Sequence, residues 1–323
     1  MSEDLSPEIK IMGINQVAIV VKDVKSVAEN FWKILGIGPW EIWSMEEPNI
    51  FDGKYYGQPS KSRFKIALTR IGAVQIELIE HLDGKTIYND FLKKQGEGLN
   101  HLNFIVDDAT TVFKIAEILA SKGFPSIQSA RTAKNSAFNY IDIDPLHAIW
   151  EVVHPPDKRK GEPVIVPDKN NLSNRPIIQV KGIDRVGFVV KDVAEVAQNY
   201  QNILNVREWE YCIWKSPLVH NRYYHSKLAP ATDKIAVSQL GSVQLKLCQP
   251  SIGPSIFQDI IDKKGQGFHF ISFEVENTKD TVEKLLETGF NSLESGCIGE
   301  GGYFHYFEIP PLRIIWEVLQ EPL

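Results

Sequence analysis

The chain has 323 residues, enough for two domains at roughly 100–200 residues each. Lysine and arginine number 35 against 41 aspartates and glutamates, a net charge of −6, with 43% hydrophobic and 24% charged residues. This composition excludes a disordered, collagen-like or coiled-coil chain. With no basic run beyond Lys158–Arg159–Lys160, the charge also argues against a nucleic-acid partner.

The first ten residues lack the basic and apolar regions of a signal peptide, and no apolar run approaches the ~20 residues that span a bilayer. Cys212, Cys248 and Cys297 are odd in number and show no C-x-x-C spacing. These features point to a reduced, cytoplasmic protein without membrane contact, its cysteines packed as small buried apolar residues.

A repeat organises the chain. Residues 14–41 align without a gap onto 183–210, with 14 of 28 positions identical. The register of 169 persists through Lys65-Ile66-Ala67 on Lys234-Ile235-Ala236 and Gly96-Glu97-Gly98 on Gly265-Gln266-Gly267, then slips by three before Trp150-Glu151-Val152 meets Trp316-Glu317-Val318. The expected boundaries are a module over 10–155, a proline-rich linker over 156–180 and a second module over 181–320.

Within the first module, β-branched residues 17–21 predict a strand, and Asp23 caps a helix with apolar residues at Val24, Val27, Ala28, Phe31, Ile34 and Leu35. Gly36 stops it. Strands follow near 64–70 and 73–80, then one at 102–106, a helix ending at Gly123, and strands near 137–143 and 148–153. One strand, a helix and several strands, four times over, predict an α+β fold of mostly antiparallel sheets.

Strand alternation places Gln16, Glu77, His101 and Glu151 each on one face of an otherwise apolar strand. As core residues they would pair with backbone or with each other. Met around a cation, their charges are equally tolerable.

The segments NQVAIVVKDV, IELIEH, GEGLNHLNFIVDD and IWEVVHP resemble, in order and spacing, the vicinal oxygen chelate superfamily, which includes glyoxalase I, methylmalonyl-CoA epimerase and extradiol dioxygenases. The resemblance covers both halves. It implies four βαβββ units forming two glyoxalase-like modules with curled sheets. It also implies one divalent ion (Zn, Co, Ni, Mn or Mg) held by Gln16, Glu77, His101 and Glu151. The matching positions of the second half are Arg185, Lys246, Phe270 and Glu317, a set that cannot bind a divalent metal. His269 lies beside them but faces away by alternation, and a salt bridge from Glu317 to Arg185 or Lys246 would neutralise that interior. The second half lacks the two histidines of an iron-holding module, which disfavours the dioxygenase class.

The resemblance therefore implies a metal-dependent isomerase, epimerase or lyase that removes a proton alpha to a carbonyl through a metal-stabilised enolate, with Glu151 as first and Glu77 as second choice of base. Trp40, Trp43, Phe51, Tyr55 and Tyr56 are candidate substrate contacts. Aromatic residues this dense suit a bulky or aromatic carbonyl compound or an acyl-CoA, although core packing explains them as readily. The competing class is a non-catalytic, bleomycin-resistance-like protein that sequesters a small molecule. Either a monomer, with the second module in place of a partner, or a homodimer is compatible with the repeat.

Overall fold

The first strand, β1 (Gln16–Val21), is buried along its whole length, as a strand apolar on both faces requires. Asp23 then accepts the Ser26 N–H and opens α1 (Val24–Leu35), which Gly36 ends in the left-handed region at φ 67°. The six predicted apolar residues of α1 are all buried. Each such side chain contributes about 1.5–3 kcal/mol when fully removed from water. The structure is a computed structural model and describes residues 9–168 and 175–323.

The chain continues through β2 (Trp40–Met45), the hairpin of β3 (Phe51–Tyr55) and β4 (Gln58–Pro59), β5 (Ser62–Ile71) and β6 (Val74–Gly84). Then come α2 (Ile87–Gln95), β7 (Gly98–Ile105), α3 (Ala109–Ser121), β8 (Ser126–Ala133), β9 (Ser136–Ile143), a 3-10 turn over 144–146 and β10 (Ala148–His154). Short β11 (Val164–Val166) lies inside the expected linker and pairs with β2, so that segment is partly strand. Its residues 169–174 lie outside the described residues.

The strands form one sheet in the order β11-β2-β5-β6-β1-β7-β10-β9-β8-β3-β4. The β1–β6 and β7–β10 pairs are parallel and the other pairs antiparallel. Because β3 leaves its own unit to pair with β8 of the next, the hairpin folds over the end of a curled sheet, and the concave face becomes a cup.

The second half repeats this plan with β12 (Val180–Val189), α4 (Val193–Leu204), β13 (Glu210–Trp214), β14 (Val219–Tyr224), β15 (Lys227–Leu228), β16 (Thr232–Leu240) and β17 (Val243–Ile252). After α5 (Ile256–Lys264) come β18 (Gly267–Val275), α6 (Thr278–Glu287), β19 (Asn291–Ile298), β20 (Gly302–Ile309) and β21 (Ile314–Gln320). Their order, β13-β16-β17-β12-β18-β21-β20-β19-β14-β15, matches the first sheet strand for strand without β11.

The convex faces and the helices share one core, in which Trp150 meets Tyr200 edge-on at 6.4 Å between ring centroids. The contacts across the modules are paired. Asn30 Nδ2 of α1 donates to the Pro311 carbonyl at 3.3 Å, and Asn199 Nδ2 of α4 donates to the Pro145 carbonyl at 3.2 Å. Each module's first helix thus packs on the other's 3-10 turn. Two smaller apolar clusters fill the cups themselves. Of the three free cysteines only Cys248 is buried; Cys212 is exposed on β13 and Cys297 intermediate, against the expectation of three buried thiols.

Candidate metal centre

Strand pairing carries four polar side chains into the first cup. Ala18 lies opposite both Glu77 on β6 and His101 on β7, Gln16 lies opposite Gln75 and Asn103, and Glu151 on β10 lies opposite Asn103. Ala18, with no bulk to spare, leaves the space between them open. Glu77, His101 and Glu151 are buried, and one ligand atom from each lies within 4.8 Å of the others. His101 Nε2 stands 3.5 Å from Glu77 Oε2 and 3.7 Å from Glu151 Oε2. Both Glu77 Oε2 and His101 Nε2 are shut from solvent without a hydrogen-bond partner.

Buried polar atoms are rarely orphaned. Here two orphans face each other at nearly the ~3.4 Å edge of a tetrahedron whose ligand bonds are about 2.1 Å. The donor set fits a divalent ion. His101 Nδ1 lies 3.0 Å from Asn100 Oδ1, and donation of the Nδ1 proton there leaves the Nε2 lone pair facing the carboxylates. Gln16 is drawn into the same network: its Oε1 accepts from Asn103 Nδ2 at 2.7 Å, and Asn103 Nδ2 also donates to Glu151 Oε2 at 2.9 Å. Gln16 Nε2 is fixed by Gln75 Oε1 at 2.7 Å. The sequence pattern did not assign a role to Asn100 or Asn103, which hold the candidate ligands in place.

The electrostatics point the same way. Burial raises the Glu77 pKa, the Glu151 charge adds to the rise, and His101 opposes it. Burial by itself would lower the His101 pKa, but Glu151 and Glu77 overcome that and hold it at about 9. An ion binding here must displace that proton. Apparent affinity is therefore expected to rise about tenfold per pH unit below about 9 and then level off, with one proton released per ion in the rising range. Titration calorimetry of Mn2+ in two buffers of different ionisation enthalpy would measure both; a pH-independent affinity would contradict it.

The aromatic candidates divide by strand face. Trp40 is a correction: it is fully buried in the shared core, its Nε1 donating to the Ile37 carbonyl at 2.8 Å. Alternation along β2 turns Trp40 and Ile42 towards the helices, and Trp43 and Met45 into the cup. Phe51 lines a cavity of about 530 Å3 beneath the β3–β4 hairpin, together with Ile50, Gly53, Phe64, Gln128 and Phe138. The cavity does not reach the ligand atoms directly. Tyr140 bridges the two, meeting Phe138 edge-on at 5.5 Å and the His101 ring at 4.8 Å. Tyr55 packs against the cup with its hydroxyl donating to Asp90 at 2.6 Å, whereas Tyr56 is exposed on the groove between the modules.

The second cup is filled at both matching places. Phe270 stands for His101, and its ring occupies the space over Gly187, where a Cβ would lie 2.0 Å from it. Gly187 takes the position of Ala18, so the ring and the missing methyl group belong together. Lys246 Nζ donates to Glu317 Oε1 at 2.5 Å, Tyr306 donates to the same oxygen, and Arg185 Nε lies 3.8 Å from Glu317 Oε2. This is the internal neutralisation expected from the sequence. Burial pushes the Glu317 pKa up, but Lys246 and Arg185 outweigh it and leave it lowered. His269 indeed turns away, its Nε2 2.9 Å from the Gly265 carbonyl. The hairpin cavity is filled too: Arg222, Asp233 and Glu294 replace Gly53, Phe64 and Gln128, and the Arg222 guanidinium bonds to both carboxylates.

The sequence model of the Glyoxalase/Bleomycin resistance protein/Dioxygenase superfamily matches residues 15–140 and 184–307. The chain belongs to this superfamily. A search of curated protein sequences finds no significant match. Among solved structures, a triple mutant of 4-hydroxymandelate synthase from Streptomyces coelicolor superposes with a TM-score of 0.60 at 14% identity, covering 97% of this chain and 93% of that one. A xylose isomerase-like TIM barrel/4-hydroxyphenylpyruvate dioxygenase fusion protein gives 0.53 at 13% identity, covering 97% of this chain and 50% of that one. These likenesses establish the two-module superfamily fold. Among the described residues no helix is long and apolar enough to cross a membrane.

Proposed function

We propose that the first module is a metal-dependent enzyme site that moves a proton alpha to a carbonyl group, in the manner of an isomerase, epimerase or lyase. The observation that carries this reading is the convergence of the orphaned Glu77 Oε2 and His101 Nε2 with Glu151 in a buried cup. Gln16, Glu77, His101 and Glu151 would hold the ion, which supplies Lewis-acid polarisation of a substrate oxygen. One nitrogen and three oxygens suit Zn, Co, Ni, Mn or Mg.

The chain's own groups do the rest. Glu151, displaced from the ion as the substrate arrives, would accept the alpha proton, and Asn103 Nδ2, 2.9 Å from its Oε2, orients that carboxylate. Glu77 stands across the cluster, where a second carboxylate can return a proton to the other side of the same carbon. Tyr140, whose ring meets that of His101 at 4.8 Å, would exclude water on that side of the cluster.

A second reading, an oxygenase, is favoured by the likeness to the 4-hydroxyphenylpyruvate dioxygenase fusion protein along 97% of this chain. Against it stands the ligand set, which offers His101 alone where non-haem iron oxygenases use two histidines and a carboxylate. The experiment that separates them loads the chain with Mn2+, Co2+ or Fe2+ and follows both alpha-proton exchange in D2O and O2 uptake across a panel of carbonyl compounds. Exchange without O2 uptake, falling roughly a hundredfold or more in Glu151→Gln, is the expected result. Oxygen uptake with Fe2+ would instead move the assignment to the oxygenase.

A further inference from the structure

The segment joining the two modules does more than connect them. It leaves β10 at His154 and re-enters the sheet as β11 beside β2, and in the sheet order β10 and β2 stand on opposite sides of the cup. Nine residues bridge this gap, a reach of at most about 30 Å, and the six strand spacings from β10 to β11 take up about 29 Å of it even along a flat sheet. Arg159 lies at the middle of this bridge, against the cup residue Trp43.

The Arg159 guanidinium stacks over Trp43, a cup residue, with its central carbon 5.8 Å from the ring centroid. Its Nε is shut from solvent and has no hydrogen-bond partner. The charges of Glu77 and Glu151 reach it from inside the cup, and that of exposed Glu41 from the rim. A desolvated cation with an unmet donor is costly to keep.

We propose that Arg159 is the anion anchor of the first-module site, and that the substrate there is a small monoanionic carboxylate whose charged end pairs with this guanidinium. The inference rests on the metal-centre reading above and names the substrate class for it. Arg159 packs its guanidinium on a ring of the cup with a buried donor unmet, and it presents a planar fork that matches a carboxylate. In the second module Lys246 and Arg185 neutralise Glu317 from within the sheet.

The test uses the full chain loaded with Mn2+ and measures binding of benzoylformate and of its methyl ester by calorimetry. Neither probe has an alpha proton to exchange, so binding is read without turnover. Wild type should prefer the acid by about tenfold to a hundredfold. Arg159→Gln should lose that preference, Arg159→Lys should keep part of it, and Lys158→Ala, at an exposed neighbour, should leave it whole. Arg159→Gln should also bind Mn2+ at least as tightly as wild type, because it removes a cation near the site; that readout shows the cup intact. An acid bound no better than its ester by wild type, or a preference that survives in Arg159→Gln with Mn2+ still bound, would overturn the anchor and leave the metal centre standing. A wild-type chain that takes up no Mn2+ would overturn both.

Discussion

Replacing His101 by alanine is expected to weaken divalent-ion binding by more than a hundredfold, so that a chain desalted after loading keeps about one ion in wild type and almost none in the variant. His101 supplies the single nitrogen of the donor set, and its Nε2 is the atom that stands between the two carboxylates. Removing it leaves Glu77 and Glu151 buried together without the group that separates and balances them. Removing its support instead should cost less: Asn100→Ala, which frees Nδ1 and with it the ring orientation, should weaken binding by about ten- to a hundredfold. Phe270→Ala removes the residue at the same position of the second module and should leave the metal content unchanged. Elemental analysis of the four proteins after identical purification decides the matter. Equal metal in wild type and His101→Ala would place the ion elsewhere.

Much of this arrangement is legible in the chain because it rests on local rules. The duplication, the α1 caps at Asp23 and Gly36, and the alternation that turns Gln16, Glu77, His101 and Glu151 one way all depend on near neighbours. Elements shaped by distant contacts are harder to read. The β3–β4 hairpin has no clear alternation, with Asp52 at φ 54° and a glycine at 53, and it becomes strand only by pairing with β8 some 75 residues later. Strand β11 is three residues in a proline-rich stretch, and β2 defines it. Trp40 and Trp43 belong to one strand but opposite faces, and the boundaries of β2 were needed to separate them. The cavity did leave a signal: Gly53 aligns with Arg222, a gap in one module set against a long side chain in the other. Recognising it required knowing that both positions point into a cup. Arg159 reads in sequence as one member of a basic run, and only the path of the bridge distinguishes it from Lys158 and Lys160.

Lys246→Met is expected to destabilise the protein by about 3–5 kcal/mol at neutral pH, because it leaves the fully buried Glu317 without its closest cation. Arg185 remains 3.8 Å away, but it is shared with Asp184 at 2.9 Å and Glu321 at 3.2 Å and cannot replace a direct hydrogen bond. The neighbouring Tyr306 hydroxyl can donate only one proton. Adding Glu317→Gln to the same chain should restore most of the loss, since the amide carries no charge to desolvate and can accept from Tyr306. The pH dependence has a definite sign. The Glu317 pKa is lowered in the folded protein, so its contribution is present above the unfolded value near 4.5 and is lost as pH falls through the folded value. In Lys246→Met the same carboxyl is pushed up by burial and escapes the penalty by taking a proton. The gap between the two proteins should therefore narrow on acidification, which urea unfolding at pH 7 and at pH 4.5 would measure. A constant gap would assign the loss to packing against Trp214, whose ring centroid lies 4.1 Å from the ammonium, rather than to charge. No loss at all would mean that Arg185 alone neutralises the second cup, and that Lys246 does no more there than fill the volume its counterpart Glu77 leaves open in the first.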